Sequence, residues 1–250
     1  MKKLLIYLPA FLLLLLLLVA WEAIVDLFNI NPQVLPAPSA IVSVFADHAV
    51  ILVPHILTTL LETLLGLLFA VIFGVFVAIL LRLSSLVRKA LYPLLIISQT
   101  IPIIALAPLL LIWFGFTILP KVIIVTMVCF FPITVAFADG MEKVSPQIIT
   151  LLQSMKATRL QILFIAELPG ALPSFFSGLR IASAYSVTGA IVGEYVGGYQ
   201  GLGIYMQNAA HSYAVNLVFV VIIITSLLSI FLFAAVVLLE KILIPWNRGK

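Results

Sequence analysis

The stretch LTTLLETLLGLLFAVIFGVFVAILL, residues Leu57–Leu81, carries one charged side chain, Glu62. A helix of about 20 largely apolar residues crosses the ~30 Å hydrocarbon layer of a bilayer, so this stretch predicts a transmembrane helix. The whole chain has the same character: 64% of its 250 residues are hydrophobic and 9% are charged. Soluble domains average about 25% charged residues. The composition therefore excludes a water-soluble fold and predicts an integral membrane protein.

Five further apolar runs predict five more membrane-spanning helices. The N-terminal run follows Lys2 and Lys3 as a secretory signal would, but no small-residue cleavage pattern ends it, so we expect a retained helix. The third run contains Pro93, Pro102 and Pro108, which predict a kinked or broken helix. The six predicted spans are residues 4–25, 57–81, about 91–116, 122–138, 181–196 and 217–239.

The predicted spans divide the chain into three parts. Residues 1–54 comprise the first helix and an external loop, because the prolines between Asn31 and Ser39 disfavour helix. Residues 55–240 form the main transmembrane domain with the other five helices. Residues 241–250 form a cytoplasmic tail. We therefore predict an all-α, six-helix membrane protein.

The distribution of lysine and arginine predicts the orientation of these helices. Cytoplasmic loops retain an excess of these residues. With both termini in the cytoplasm, all of the 13 lysines and arginines except Lys121 fall inside, Lys2, Lys3, Arg248 and Lys250 among them. The acidic residues near the first loop collect outside. This asymmetry favours six spans over five or seven.

The segment 139–180, between the fourth and fifth spans, is too apolar for a simple connector. Ser145 followed by Pro146 predicts a helix start, and apolar residues recur at helical spacing as far as Met155. A second short helix is predicted from Leu160 to Leu168, ending at Pro169. From the residues alone, this segment is either an amphipathic helix on the inner leaflet or a docking element for a partner.

Polar groups within the spans are candidates for a translocation path. Glu194 is the acid of the fifth span and is expected near the outer face, within reach of interfacial water, in a path, gating or interfacial role. Gln99 and Thr100 lie at the expected break of the third span, where freed backbone groups need protein or water. Ser186 belongs to a small-residue stripe with Ala182, Gly189 and Gly193, which predicts close helix packing, with pore lining as the alternative.

Other chemistry is not indicated by the sequence. Cys129 has no partner, and the three histidines are separated and expected in solvated outer positions, so we predict no metal site and no cofactor. Glu62 is expected at the outer membrane interface. We find no nucleophile and base set, so no catalytic residue is predicted. The glycine-rich residues 197–203 lack the Lys and hydroxyl of a phosphate loop. The net charge of +4 follows the membrane orientation and predicts no nucleic-acid partner.

Short motifs recur in order along most of the chain and resemble the permease subunits of ABC importers, in the nitrate, sulfonate and taurine branch. In the cytoplasmic loop of that family, Glu-Ala-Ala and Gly precede Ile-x-Leu-Pro at fixed spacing; here Leu168-Pro169 matches literally and Lys156 stands at the Gly. The other motifs are Leu35-Pro-Ala-Pro-Ser39, Thr59-Leu60 with Gly66, Pro102 with Pro108-Leu109, Trp113-Phe114-Gly115, Ala171-Leu172-Pro173, Gly178-Leu179-Arg180, Glu194 and Gly201-Leu202-Gly203.

This resemblance implies a type I ABC importer transmembrane domain in the inner, cytoplasmic membrane. It implies a separate ATPase subunit, an extracytoplasmic solute-binding protein and a second copy of the permease, all working in a lipid bilayer. The helix of the cytoplasmic loop would dock into the ATPase. The residues expected to couple to it are Gln147, Ile148, Ile149, Thr150, Leu151, Leu152, Met155, Lys156, Leu168 and Pro169.

The substrate is predicted less directly. The residues Ser177–Arg180 and Tyr185–Tyr195 are similar to permeases for thiamine-precursor pyrimidines, while sulfonate, taurine and nitrate stay open as alternatives. A rival of another class is a secondary transporter or channel that works without ATP. Such a protein predicts acids at mid-membrane and inverted repeats, and no repeat is visible in this sequence.

Overall fold

The computed structural model describes the backbone of residues 2–247 and the side chains of residues 8–246. The side chains of Lys2 and Lys3, and Arg248 and Lys250, all part of the predicted charge asymmetry, lie outside the described residues. Every element within the described range is helical. The helices are α1 Lys2–Leu27, α2 Pro38–Leu83, α3 Ser85–Ser98, α4 Ile103–Phe114, α5 Leu119–Glu142, α6 Pro146–Ser154, α7 Arg159–Ile162, a π turn Leu163–Glu167, α8 Leu168–Gly197, α9 Leu202–His211, α10 Val215–Leu243 and a 3-10 turn Pro245–Asn247.

The helices agree with the predicted all-α membrane fold. Five helical stretches are long and apolar enough to cross a membrane, and the number rises to six if α3 and α4 form one broken span. These two helices meet at an angle of 98°, so the predicted break of the third run is confirmed. Pro102, which has no N–H group, lies directly before α4 and cannot continue the hydrogen bonds of α3.

Two helix boundaries were predicted wrongly, both at prolines. Helix α2 begins at Pro38 rather than near residue 57, so the external loop is shorter than predicted. Pro169 does not end a short helix; it lies in the first turn of α8, which continues to Gly197. At Pro38 the proline loses no hydrogen bond, because an N–H in the first turn of a helix has no partner within it. Pro169 instead follows the π turn Leu163–Glu167, through which the helix continues. The division of the chain into 1–54, 55–240 and 241–250 stays a prediction.

Small residues allow α5 and α8 to pack closely at the centre of the bundle. A Cβ atom added to Gly178 would lie 2.5 Å from the carbonyl oxygen of Pro132, and one added to Gly193 would lie 3.1 Å from the Cα of Lys121. Ala182, Ser186 and Gly189 are buried in the same helix. The predicted packing role of this stripe is confirmed. Cys129 is buried in this core, as predicted for a small apolar side chain.

A tight turn ends α6 and directs the chain towards α7. Lys156 adopts a backbone φ of +62°, in the left-handed region that favours glycine. The sharp turn of the family pattern is therefore present here although a lysine occupies the glycine position. Thr158 then starts α7 through a capping box with Gln161, in which each side chain bonds the other residue's backbone N–H.

Candidate functional sites

Helix α6 is an exposed apolar element at the end of the bundle that the charge distribution predicts to be cytoplasmic. It contains no buried residue, and Ile148, Leu151 and Met155 are exposed, Met155 to 71%. Ser145 occupies the N-cap position as predicted, but its hydroxyl donates to the side-chain oxygen of Gln147 and accepts no hydrogen bond from a backbone N–H of the helix. The structure brings the predicted coupling residues from Gln147 to Lys156 onto one helix and its terminal turn.

Leu168 and Pro169 are separated from α6 by α7 and the π turn, and they form the first turn of α8. Glu167, directly before them, accepts hydrogen bonds from the guanidinium group of Arg82, the last-turn residue of α2. A cavity of about 370 Å³ lies between this ion pair and the α6 residues Ile149 and Gln153. Neither partner of this pair was predicted from the sequence. Arg82 directly follows a predicted span and Glu167 lies in the predicted short helix from Leu160 to Leu168, and their opposite charges were a signal that could have found them.

Glu194 is fully buried, and two separate parts of the chain, α2 and the loop after α8, hold its carboxylate. Its Oε1 accepts a hydrogen bond from Thr59 Oγ1 at 2.6 Å, and its Oε2 accepts one from the backbone N–H of Gly203 at 2.5 Å. The Leu202 N–H donates to the same Thr59 hydroxyl at 2.9 Å. The expectation that Glu194 reaches interfacial water is therefore wrong, because the loop after α8 folds back and covers it.

The glycines of the Gly201-Leu202-Gly203 motif are explained by this carboxylate. Gly201 has a φ of +134°, and a Cβ added to it would collide with the carboxyl group of Glu194. A Cβ added to Gly203 would lie 2.9 Å from Glu194 Oε2. Two motifs that the sequence analysis treated separately thus form one structural unit. We call this unit, comprising Thr59, Glu194 and residues 201–203, the carboxylate clasp.

A buried ion pair lies beside the carboxylate clasp. Lys121 Nζ in α5 is 3.5 Å from Glu62 Oε1 in α2, and the two residues are 6% and 1% exposed. Glu62 is enclosed by the bundle, while its expected depth at the outer membrane interface stays a prediction. Lys121 is a buried residue in the first turn of α5 rather than a loop charge. Opposite charges in neighbouring spans were a visible signal. Hydropathy alone could not identify them as partners, because it does not show which helix faces meet.

His55 is also placed differently from the prediction. It lies in α2 rather than in a solvated outer loop, because α2 begins at Pro38. Its Nδ1 lies within hydrogen-bond distance of the backbone of Gly201, 3.1 Å from the nitrogen and 2.9 Å from the carbonyl oxygen. Its ring packs at 5.0 Å from that of Tyr205. Burial raises the pKa of Tyr205, which lies in α9 outside the spans. His55 thus supports the loop that closes the carboxylate clasp.

The four residues predicted for the translocation path lie in three places. Gln99 and Thr100 are adjacent and exposed at the bend between α3 and α4, where Gln99 lines a mostly apolar cavity of about 370 Å³ together with Leu95 and Phe130. Ser186 is fully buried and donates to the carbonyl of Ser183 at 2.8 Å. Glu194 lies in the carboxylate clasp. Their assignment to a path stays a prediction.

Residues 70–244 match the family model described as "Binding-protein-dependent transport system inner membrane component". Because this match covers more than half of the sequence, the chain belongs to that family of multi-pass inner-membrane transport components.

Two relatives show the more specific likeness. The formylaminopyrimidine transport permease protein ThiX of Halalkalibacterium halodurans is 39% identical over 94% of this chain and 94% of its own length. The riboflavin transport system permease protein RibX of Chloroflexus aurantiacus is 34% identical over 94% of this chain and 89% of its own length. Permeases named for taurine, aliphatic sulfonates and nitrate also match, so the predicted branch is confirmed.

A solved structure supports the fold. A chain of the methionine ABC transporter MetNI, in an inward-facing conformation, superimposes with a TM-score of 0.62 at 20% identity, covering 76% of this chain and 98% of that chain. At this identity the likeness concerns the fold alone. The expected ABC importer transmembrane fold is therefore confirmed.

Proposed function

We propose that this chain is the permease subunit of an ATP-driven uptake system and forms the membrane path for a small polar solute. The observation that carries the proposal is α6: an exposed apolar helix held between α5 and α8 in a member of a binding-protein-dependent transport family. The chain itself carries no phosphate loop, so ATP hydrolysis takes place in a separate subunit.

The proposed assembly contains two copies of this permease, two ATPase subunits and an extracytoplasmic solute-binding protein. In this assembly each ATPase binds one α6 helix. When the ATPase subunits close on ATP, the two α6 helices move together as rigid bodies, and the bundles above them turn to open the path outward. ATP hydrolysis then resets the path. The permease supplies no catalytic group in this cycle.

Docking can be tested by substitution of one exposed residue of α6. Leu151→Asp places a charge on the apolar face that would enter the ATPase, and we expect co-purification of the ATPase subunit to fall at least about tenfold, as for a buried interface anchor. Ile118→Asp alters an exposed apolar residue at the opposite end of α5 and serves as the control. Equal co-purification of both variants with the ATPase would refute docking through α6.

The rival class, a transporter that works without ATP, predicts uptake by the permease alone. The buried acids Glu62 and Glu194 could be read as coupling groups, but Glu62 is 3.5 Å from Lys121 and Glu194 is held by the loop glycines. Uptake into proteoliposomes should therefore require ATP and the ATPase subunit. Uptake by the permease alone, driven by an ion gradient, would overturn the proposal.

For the substrate, we propose a pyrimidine of the thiamine-precursor type. The support is the 39% identity with a formylaminopyrimidine permease over nearly the whole of both chains. Riboflavin is the second candidate because of the relative that is 34% identical. Taurine, sulfonate and nitrate are the remaining alternatives. ATP-dependent uptake of labelled formylaminopyrimidine, with each of the others as an unlabelled competitor, tests the choice; inhibition by riboflavin alone would reverse it.

A further inference from the structure

The segment between α5 and α8, residues 143–167, touches the membrane bundle at few points. Helix α6 itself contributes no buried residue. Ile162 and Leu163, which follow it, are buried, and Leu163 joins an apolar cluster that includes Leu81 of α2. Val144, at the start of the segment, is also buried and lies against Gly170 of α8. The segment is therefore anchored at both ends, and its second anchor lies close to the end of α2.

Within that anchor, one ion pair connects the segment to α2. Arg82 Nε donates to Glu167 Oε2 at 2.9 Å, and a terminal guanidinium nitrogen of Arg82 donates to Glu167 Oε1. Glu167 is 6% exposed. A terminal nitrogen of Arg159 also lies 3.5 Å from the carbonyl oxygen of Arg82. Two charge-assisted hydrogen bonds in parallel set both distance and orientation, whereas apolar contacts permit sliding.

The backbone around Glu167 is unusual. Residues Leu163–Glu167 form a π turn, and α8 begins at the next residue. Single π turns inside helical stretches occur often at functional sites, because the inserted residue changes the direction in which side chains project. Glu167 is the last residue of this turn. The cavity of about 370 Å³ between this ion pair and α6 leaves room for α6 to approach.

We propose that Arg82 and Glu167 form a positioning pair that transmits the movement of α6 to α2 and α8. This inference rests on the proposed function, since it assumes that an ATPase moves α6. Glu167 lies on the continuous path from α6 through α7 into α8, and Arg82 belongs to α2. The pair thus makes both spanning helices follow the same displacement.

A second ion pair at this end of the bundle provides a matched control. Arg88 of α3 donates through its guanidinium group to Glu142 at the end of α5, at 2.9 Å for one of the two contacts. These side chains are 33% and 38% exposed, and neither belongs to the segment 143–167. Loss of this pair removes the same chemistry at the same end of the molecule without interrupting the connection between α6 and α2.

The test uses the permease bound to its ATPase subunit in lipid nanodiscs, with Gln99→Cys as a reporter at the α3–α4 bend. Cys129 is buried, so it contributes little background labelling. The rate of maleimide labelling is measured with and without ATP and vanadate. With the native pair, we expect trapping by ATP and vanadate to change this rate at least about fivefold, the lower range of site-to-site coupling.

Arg82→Gln and Glu167→Gln are each expected to reduce this change to less than about twofold while ATP hydrolysis and ATPase binding continue. The exchange Arg82→Glu with Glu167→Arg should restore it, and Arg88→Gln or Glu142→Gln should leave it intact. A full response in Arg82→Gln and Glu167→Gln overturns the inference. So does loss of ATPase binding that the exchange does not rescue, since the pair would then be merely structural. Failure of the ATPase to bind the native permease would instead refute the proposed function.

Discussion

At position 201 both the backbone conformation and the nearby Glu194 carboxylate require a residue without a Cβ atom, which is glycine. A φ of +134° is nearly restricted to glycine, and the carboxylate occupies the space that a Cβ would need. The N–H of Gly203 completes the carboxylate clasp from the same loop. The short turn after α8 therefore follows from the need to satisfy one buried acid, since an unpaired carboxylate inside the bundle would be costly.

Gly201→Ala should lower the free energy of unfolding by about 3 kcal/mol, because backbone strain is added to the displacement of Glu194. Gly115 is the matched control. It also has a positive φ, +70°, but nothing lies within 4 Å of an added Cβ, so Gly115→Ala should cost only the strain, about 1–2 kcal/mol. Thermal unfolding in detergent, followed by tryptophan fluorescence, measures both. Equal losses of unfolding free energy in the two variants would show that the Glu194 carboxylate does not restrict the residue at position 201.

Lys156 illustrates the opposite case, a side chain held where glycine is favoured. Its φ of +62° costs about 1 kcal/mol for a residue with a Cβ. Lys156→Gly should therefore slow hydrogen exchange of the Ala157 amide, which donates to the Leu152 carbonyl at 3.0 Å across this turn. Lys143, with an ordinary φ of −78°, provides the control: Lys143→Gly should bring no gain in protection. Faster hydrogen exchange of the Ala157 amide in Lys156→Gly would contradict the claim that the lysine strains this turn.

At the scale of helices, the Glu62–Lys121 pair joins α2 to α5 inside the bundle. Loss of one partner leaves the other charge buried, so Lys121→Met should lower the free energy of unfolding by about 3–5 kcal/mol. The double substitution Glu62→Leu with Lys121→Leu should recover much of this loss, because Glu62 then no longer leaves an unpaired charge beside the carboxylate clasp. Thermal unfolding in detergent measures each variant. A double variant as unstable as Lys121→Met would show that packing, rather than charge, explains the loss.

The partly exposed Arg180–Glu240 ion pair can be compared with the buried Glu62–Lys121 pair to isolate the effect of burial. Its closest nitrogen and oxygen atoms are also 3.5 Å apart, but Arg180 is 33% exposed. Water screens such a pair, so Arg180→Gln should cost less than about 1 kcal/mol. The two pairs have equal distances but differ in burial, so the difference in unfolding free energy between their variants measures what burial inside the protein adds.

For the whole molecule, the predicted orientation can be tested with single cysteines. Tyr199 and Met155 are exposed at opposite ends of the bundle, so Tyr199→Cys should react with a membrane-impermeant maleimide in intact cells and Met155→Cys only after lysis. The physical reason is that lysine and arginine are retained on the cytoplasmic side during insertion. The parent chain, whose Cys129 is buried, is the control. Labelling of Met155→Cys in intact cells would reverse the topology.

Hydropathy and the positions of prolines determined much of the architecture from the sequence alone. A span depends on the summed polarity of about 20 successive residues, so Leu57–Leu81 and its counterparts could be recognised without knowledge of any contact. The break at Pro102 and the helix start at Pro146 follow from the missing N–H group of proline. These are local properties, which the order of residues contains.

The tertiary structure alone decided which polar groups meet. Sequence reasoning placed Glu62 and Glu194 near water, whereas the structure buries Glu62 beside Lys121 and encloses Glu194 in a loop that follows it in the chain. The structure also pairs Arg82 with Glu167, although these residues lie 85 positions apart in the sequence. Such pairings depend on how helix faces pack, a property of the assembled bundle. That is why hydropathy identified the helices of this permease but not the contacts between their charges.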